Sequence, residues 1–94
     1  MDRSLKGSEA RKLLREIIRS GNLVVWGHAR KEMAKDALDM PDLENVLWAG
    51  LVQEPPEFEN SEWRYRFHTR KIAVIAAFDS ETEAHVVTAW RFKA

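Results

Sequence analysis

From Trp63 to His68 the chain alternates aromatic side chains with two arginines and a histidine, without interruption. Side chains on a β-strand point alternately to opposite faces. Trp63, Tyr65 and Phe67 therefore share one face, and Arg64, Arg66 and His68 share the other. The aromatic face predicts core. The opposite face predicts a solvated surface with two guanidinium forks and a titratable ring. The next segment, Lys71 to Asp79, is apolar on both faces, as a central strand should be. Asp79-Ser80-Glu81-Thr82 is turn material, and Ala84 to Phe92 reads as a last strand. With Glu62 to Thr69 as the first, three strands close the chain as a meander.

The turns set the register. A tight turn at Arg70-Lys71 places Arg66 opposite Ile75, and a turn centred on Glu81-Thr82 places Ile75 opposite Thr88. Arg64, Arg66, His68, Thr88 and Trp90 then lie on one face, and Arg91 falls with Tyr65 and Phe67 on the other. A slip of one residue would exchange these assignments.

Upstream the period changes to that of helices. Ser8 is placed to cap a helix running to about Ser20, with Gly21 as a left-handed stop. Its apolar stripe is Ala10, Leu13, Leu14, Ile17 and Ile18. Arg11, Arg15 and Arg19 form a row that reads as a solvated face. Asn22 to Trp26 predicts a short strand broken by Gly27. A second helix is expected from His28 to about Leu38, with Ala29, Met33 and Ala37 at helical spacing. After Asp39-Met40-Pro41, a third helix over Asp42 to Ala49 turns Leu43, Val46 and Leu47 inward and ends at Gly50. Leu51 to Glu54 can begin a sheet edge. Pro55 to Ser61 reads as a loop made acidic by Glu54, Glu57, Glu59 and Glu62. It fits an ordinary connection, a flap, or a counterweight to the basic strand after it.

The chain has 94 residues, suited to one small domain over 1–94, and its formal net charge is zero. Zero net charge argues against a general nucleic-acid coat, so any such role must come from a local patch. With no cysteine, disulfides, thiolate zinc sites and cysteine nucleophiles are excluded. No segment reads as a signal peptide or a membrane span, and the expected location is cytoplasmic, away from membranes.

The candidates for chemistry are His28, Arg30, Arg64, Tyr65, Arg66, His68, Thr88, Trp90 and Arg91, with Arg70 and Lys71 at the turn. His28 opens a helix, where backbone N–H groups favour anions and disfavour imidazolium, so it suits a general base. His68 beside Arg66 can bind a phosphodiester and move a proton during its cleavage. Trp90 and Arg91 supply a stacking plate and a cationic clamp for unpaired bases. His85, at a strand start beside an acidic turn, reads as a surface residue. His28, His68 and His85 lie on separate elements without metal-ligand spacing, so no metal site is expected. No cofactor motif is present either.

The segments His28-Ala29-Arg30-Lys31-Glu32-Met33-Ala34, Trp63-Arg64-Tyr65-Arg66 and Val86-Val87-Thr88-Ala89-Trp90-Arg91 resemble, in order and spacing, the bacterial family called domain of unknown function 4258. The resemblance covers roughly Leu23 to Arg91, within a family core over 22–94 that follows an N-terminal helix over 1–21. That family looks related to the RelE-like and MqsR-like toxins of toxin–antitoxin pairs. The resemblance implies an α+β fold, with two to three N-terminal helices on one face of a twisted, mainly antiparallel sheet of three to five strands. It also implies metal-free RNA cleavage, often of mRNA and sometimes at the ribosome. A neutralising antitoxin is implied as partner, in a hetero-oligomer or beside a homodimer.

These readings converge on a toxin-type endoribonuclease using 2′-hydroxyl transesterification. His28 or His68 would move the proton, Arg66 with Arg64 or Arg91 would stabilise the phosphoryl oxygens, and Tyr65 is a further candidate. The main rival is a non-catalytic module whose basic sheet face binds an antitoxin or another partner. A single-strand binder without chemistry is the third reading.

Overall fold

In the computed structural model, which describes residues 3–93, the elements are α1 (Gly7–Ser20), β1 (Asn22–Val25), α2 (Gly27–Lys35), α3 (Met40–Ala49), β2 (Leu51–Val52), β3 (Glu57–Glu59), β4 (Glu62–His68), β5 (Ile72–Phe78) and β6 (Glu83–Arg91). The architecture is α+β. The sheet order is β1-β6-β5-β4-β2, with β3 also on β4; β1 runs parallel to β6 and every other pairing is antiparallel. One strand more than expected arises because the acidic segment after Pro56 folds back on β4, pairing Glu57 with Arg64 and Phe58 with Trp63. Asn60 and Ser61 both have positive φ (50° and 63°), as the two central residues of a type I′ hairpin turn require.

All three helices cover one face of the sheet. Ala10, Leu14 and Ile17 of α1, Ala29 and Met33 of α2, and Leu43, Val46 and Leu47 of α3 form one cluster with Tyr65, Phe67, Val74, Ala76, Val86 and Ala89. The aromatic side of the alternating strand is thus core, as its pattern predicts.

Local chemistry moves several boundaries. α1 begins at Gly7, and Glu9 accepts the Lys6 N–H at 2.9 Å, so Ser8 lies inside the helix rather than capping it. Gly21 ends α1 in an extended conformation (φ −107°), not a left-handed one. It is glycine because a Cβ there would lie 2.4 Å from the Thr82 carbonyl oxygen. The arginine row of α1 is solvated only in part: Arg19 is exposed, whereas Arg11 and Arg15 are half-buried. Arg11 donates to the Gly50 carbonyl, Arg15 Nε donates to the Trp48 carbonyl at 2.9 Å, and the Arg15 and Arg19 guanidinium groups lie 5.2 and 5.4 Å from the Trp48 ring centroid. These arginines satisfy the exposed carbonyls at the C-terminus of α3 and so tie α1 to it.

α2 stops about three residues before the predicted end. Ala37 adopts φ 53°, its N–H bonds the Ala34 carbonyl at 3.2 Å, and the Leu38 N–H bonds the Met33 carbonyl at 2.8 Å. This is a Schellman closure, with Met33 and Leu38 buried together. α3 starts at Met40, earlier than expected, because Asp39 is its cap: Asp39 accepts from the Asp42 N–H and Asp42 from the Asp39 N–H, both at 3.0 Å. Among the described residues no helix is long and apolar enough to cross a membrane.

Candidate active site

The meander fixes which side chains share the face opposite the helices. Arg66 pairs with Ile75 and Ile75 with Thr88; His68 pairs with Ala73 and Ala73 with Trp90. Both rows match the sequence-derived register, although the second turn does not sit where expected. Near that turn Phe78 pairs with Ala84 and Ala77 with His85, and a bulge at Val87 then shifts β6 by one residue. The bulge restores the expected partner for Thr88 and turns His85 onto the row of Ala77 and Arg64.

A cleft of about 280 Å³ opens on this face. His28 enters it from the start of α2, Arg64 and Arg66 from β4, Ile75 from β5, and Val87 and Thr88 from β6. Its remaining wall is Gln53, Pro55 and Pro56 of the connection after β2, with Glu57 and Glu59 of β3. The fold therefore brings together His28, Arg64, Arg66 and Thr88, four of the residues singled out from sequence.

The others lie elsewhere. His68 lines a separate depression with Gly50, Leu51, Thr69 and Arg70. Arg70 and Lys71 are exposed in the two-residue turn, which Thr69 closes through its N–H to the Ile72 carbonyl at 2.9 Å. Arg30 is exposed and gives its Nε–H to the Val25 carbonyl at 3.2 Å. Trp90 lies on the open face, but its ring is engaged, edge-on to Phe92 at 6.4 Å and 5.0 Å from the Arg66 guanidinium. Arg91 is on the helix face, as its register predicts, and so cannot clamp anything in the cleft. Its N–H bonds the Asp36 carboxylate at 2.7 Å, while Nε and one terminal nitrogen reach the carbonyls of Asp36 and Ala37. Tyr65 is only 2% exposed, and its hydroxyl accepts the Leu5 N–H at 2.7 Å. Burial pushes its ionisation above the ordinary tyrosine range, outweighing that hydrogen bond. Tyr65 is a core residue without access to the cleft.

The two cleft arginines differ. Arg64 Nε meets Glu62 and a terminal nitrogen meets Glu59, both at 3.0 Å, and its side chain is 14% exposed. The acidic segment is thus a counterweight at Arg64. Arg66 makes no ion pair among the described residues, and its buried Nε has no hydrogen-bond partner among them. Its charge rests against the rings of Trp90 and Phe92, at 5.0 and 5.9 Å. An uncompensated guanidinium with an orphaned donor favours an anion, because leaving a buried charged donor unpaired is costly.

His85 overturns its expected exposure. It is 1% exposed, with Nδ1 2.9 Å from Asp79, Nε2 3.3 Å from Glu62, and the Trp26 indole stacked on it at 3.8 Å and 5°. Glu62 therefore bridges His85 and Arg64. Sequence reasoning missed this network because it depends on the bulge at Val87. The acidic counterweight was one of the alternatives read from the sequence, but its pairing with β4 was not, although the alternation Glu57-Phe58-Glu59 just before the basic strand was a usable signal for one more paired strand. Among the described residues no group of three or more acidic or histidine side chains is arranged to hold a metal ion.

Comparison with family models, curated proteins and solved structures finds no match for this chain.

Proposed function

We propose that the chain is a metal-independent endoribonuclease of the RelE/MqsR toxin type, working in the cleft between His28 and Arg66. The observation that supports this reading is their convergence. An exposed imidazole at a helix start and an uncompensated guanidinium on a strand line one cleft of about 280 Å³. In the proposed reaction a ribose 2′-hydroxyl attacks the adjacent phosphorus. The 2′-O–P bond forms, the P–O5′ bond breaks, and the products carry a 2′,3′-cyclic phosphate and a 5′-hydroxyl. One proton leaves the 2′-oxygen and one is delivered to O5′. His28 exchanges one of them, and Glu57, exposed on the same wall, is the second acid–base group. Arg66 stabilises charge on the phosphoryl oxygens, and Thr88 beside it adds a hydroxyl donor. Arg64, held by two carboxylates, shapes the wall. The cognate partner in this reading is an antitoxin that blocks the cleft.

The pairing of Arg64 with Glu59 and Glu62 favours a second reading, a non-catalytic module whose mixed-charge face binds a protein. Inducible expression separates the two. On the nuclease reading the wild-type chain arrests growth, His28→Ala and Arg66→Ala relieve the arrest while remaining folded by circular dichroism, and His68→Ala still arrests. Arrest that survives both His28→Ala and Arg66→Ala would contradict the catalytic assignment and favour the binding module.

A further inference from the structure

We propose that Trp26 is a base-stacking plate at the rim of the cleft, taking an unpaired nucleobase of the strand whose phosphate lies between His28 and Arg66. This inference rests on the ribonuclease reading and names a binding residue for its substrate.

Trp26 caps α2 two residues before His28, and 45% of it is exposed. An exposed indole is ordinarily free to change rotamer, and this one is backed. His85 stacks against it at 3.8 Å and 5°, a near-parallel contact. His85 is itself fixed, because each ring nitrogen faces a carboxylate oxygen, Asp79 at 2.9 Å and Glu62 at 3.3 Å. The imidazole cannot rotate without losing one of them. Through the pairing of His85 with Ala77 and of Ala77 with Arg64, the stack stands on the same sheet row as a cleft-lining residue. The result is a flat aromatic surface, held from behind, two residues along the chain from the candidate proton-transfer group.

Trp90 is less suited to this part, since Arg66 and Phe92 already engage its ring. Trp48 is flanked by Arg15 and Arg19. A pre-ordered aromatic plate holds single-stranded nucleic acid without strict sequence choice, because every base offers a π-face.

The test uses the full chain and a single-stranded octaribonucleotide with 2′-O-methyl groups, which blocks the nucleophile and leaves binding intact. Trp26→Ala is expected to weaken binding roughly five- to 150-fold, the range for loss of one stacked base. Trp26→Phe should restore most of it. The slope of log affinity against log salt should be unchanged in Trp26→Ala and shallower in Arg66→Ala, since only the second removes a phosphate contact. On the cleavable RNA, Trp26→Ala should raise KM and leave kcat within a few-fold. If wild-type protein binds and cuts while Trp26→Ala matches it, the stacking inference is wrong and the ribonuclease reading stands. Should wild-type protein neither bind nor cut any single strand, both fail together.

Discussion

Most arginines of this chain bind parts of the protein itself. Arg11 and Arg15 hold carbonyls at the end of α3, Arg91 those at the end of α2, and Arg30 the end of β1. Arg64 is paired twice. Of the two arginines that line the cleft, Arg66 is the one without a carboxylate partner among the described residues, and for that reason the proposal centres on it rather than on the cationic face as a whole. Tyr65, its neighbour on the opposite face, gives a prediction at the same scale. Its hydroxyl is held neutral in the fold by burial, with ionisation raised above the unfolded value of about 10. The unfolded chain therefore loses that proton first and binds fewer protons than the native state, so stability falls as pH rises above about 10. Below that pH the contribution is fully present. Urea titrations of wild type and Tyr65→Phe should show the wild type losing more stability between pH 9 and 11. At neutral pH Tyr65→Phe should cost about 1 kcal/mol, since the Leu5 N–H loses its acceptor. A variant with the same alkaline slope as wild type would contradict this.

Among the elements, α2 carries the clearest prediction. Its closure puts Ala37 at φ 53°, where a side chain is disfavoured and glycine is the usual occupant. Ala37→Gly should raise stability by about 0.5–1 kcal/mol, the relief of strain exceeding the added entropy of the unfolded chain. The urea midpoint should move up with an unchanged slope, and an unchanged or lower midpoint would contradict the strain. The same residue shows where sequence stops informing. Alanine is the best helix former and lies on the Ala29–Met33 stripe, so nothing at position 37 flags a stop. The meander was legible because its alternation has one solution and its turns are short. The cleft was half legible. His28, Arg66 and Thr88 follow from period and register, whereas Glu57 and Glu59 needed the recognition of a three-residue strand. The burial of His85 depended on a bulge at Val87, which nothing in the sequence distinguishes from the paired Val86 before it.

At the scale of the whole molecule, charge is balanced. Fifteen cationic residues face fifteen acidic ones, and much of the positive charge is bound internally. Such a chain would gain little from bulk attraction to RNA, so the proposed ribonuclease would have to recognise its substrate through a few placed groups: one guanidinium, one imidazole and one aromatic plate. The fold serves this arrangement by putting all three helices on one side, leaving β4, β5 and β6 to form the floor of the cleft on the other. The most direct test identifies the ends of RNA incubated with the purified chain and a metal chelator. A nuclease of the proposed kind yields fragments with a 2′,3′-cyclic phosphate and a 5′-hydroxyl, formed at least about a hundredfold more slowly by His28→Ala. Intact RNA at every protein ratio, or fragments ending in a 3′-hydroxyl and a 5′-phosphate, would contradict it.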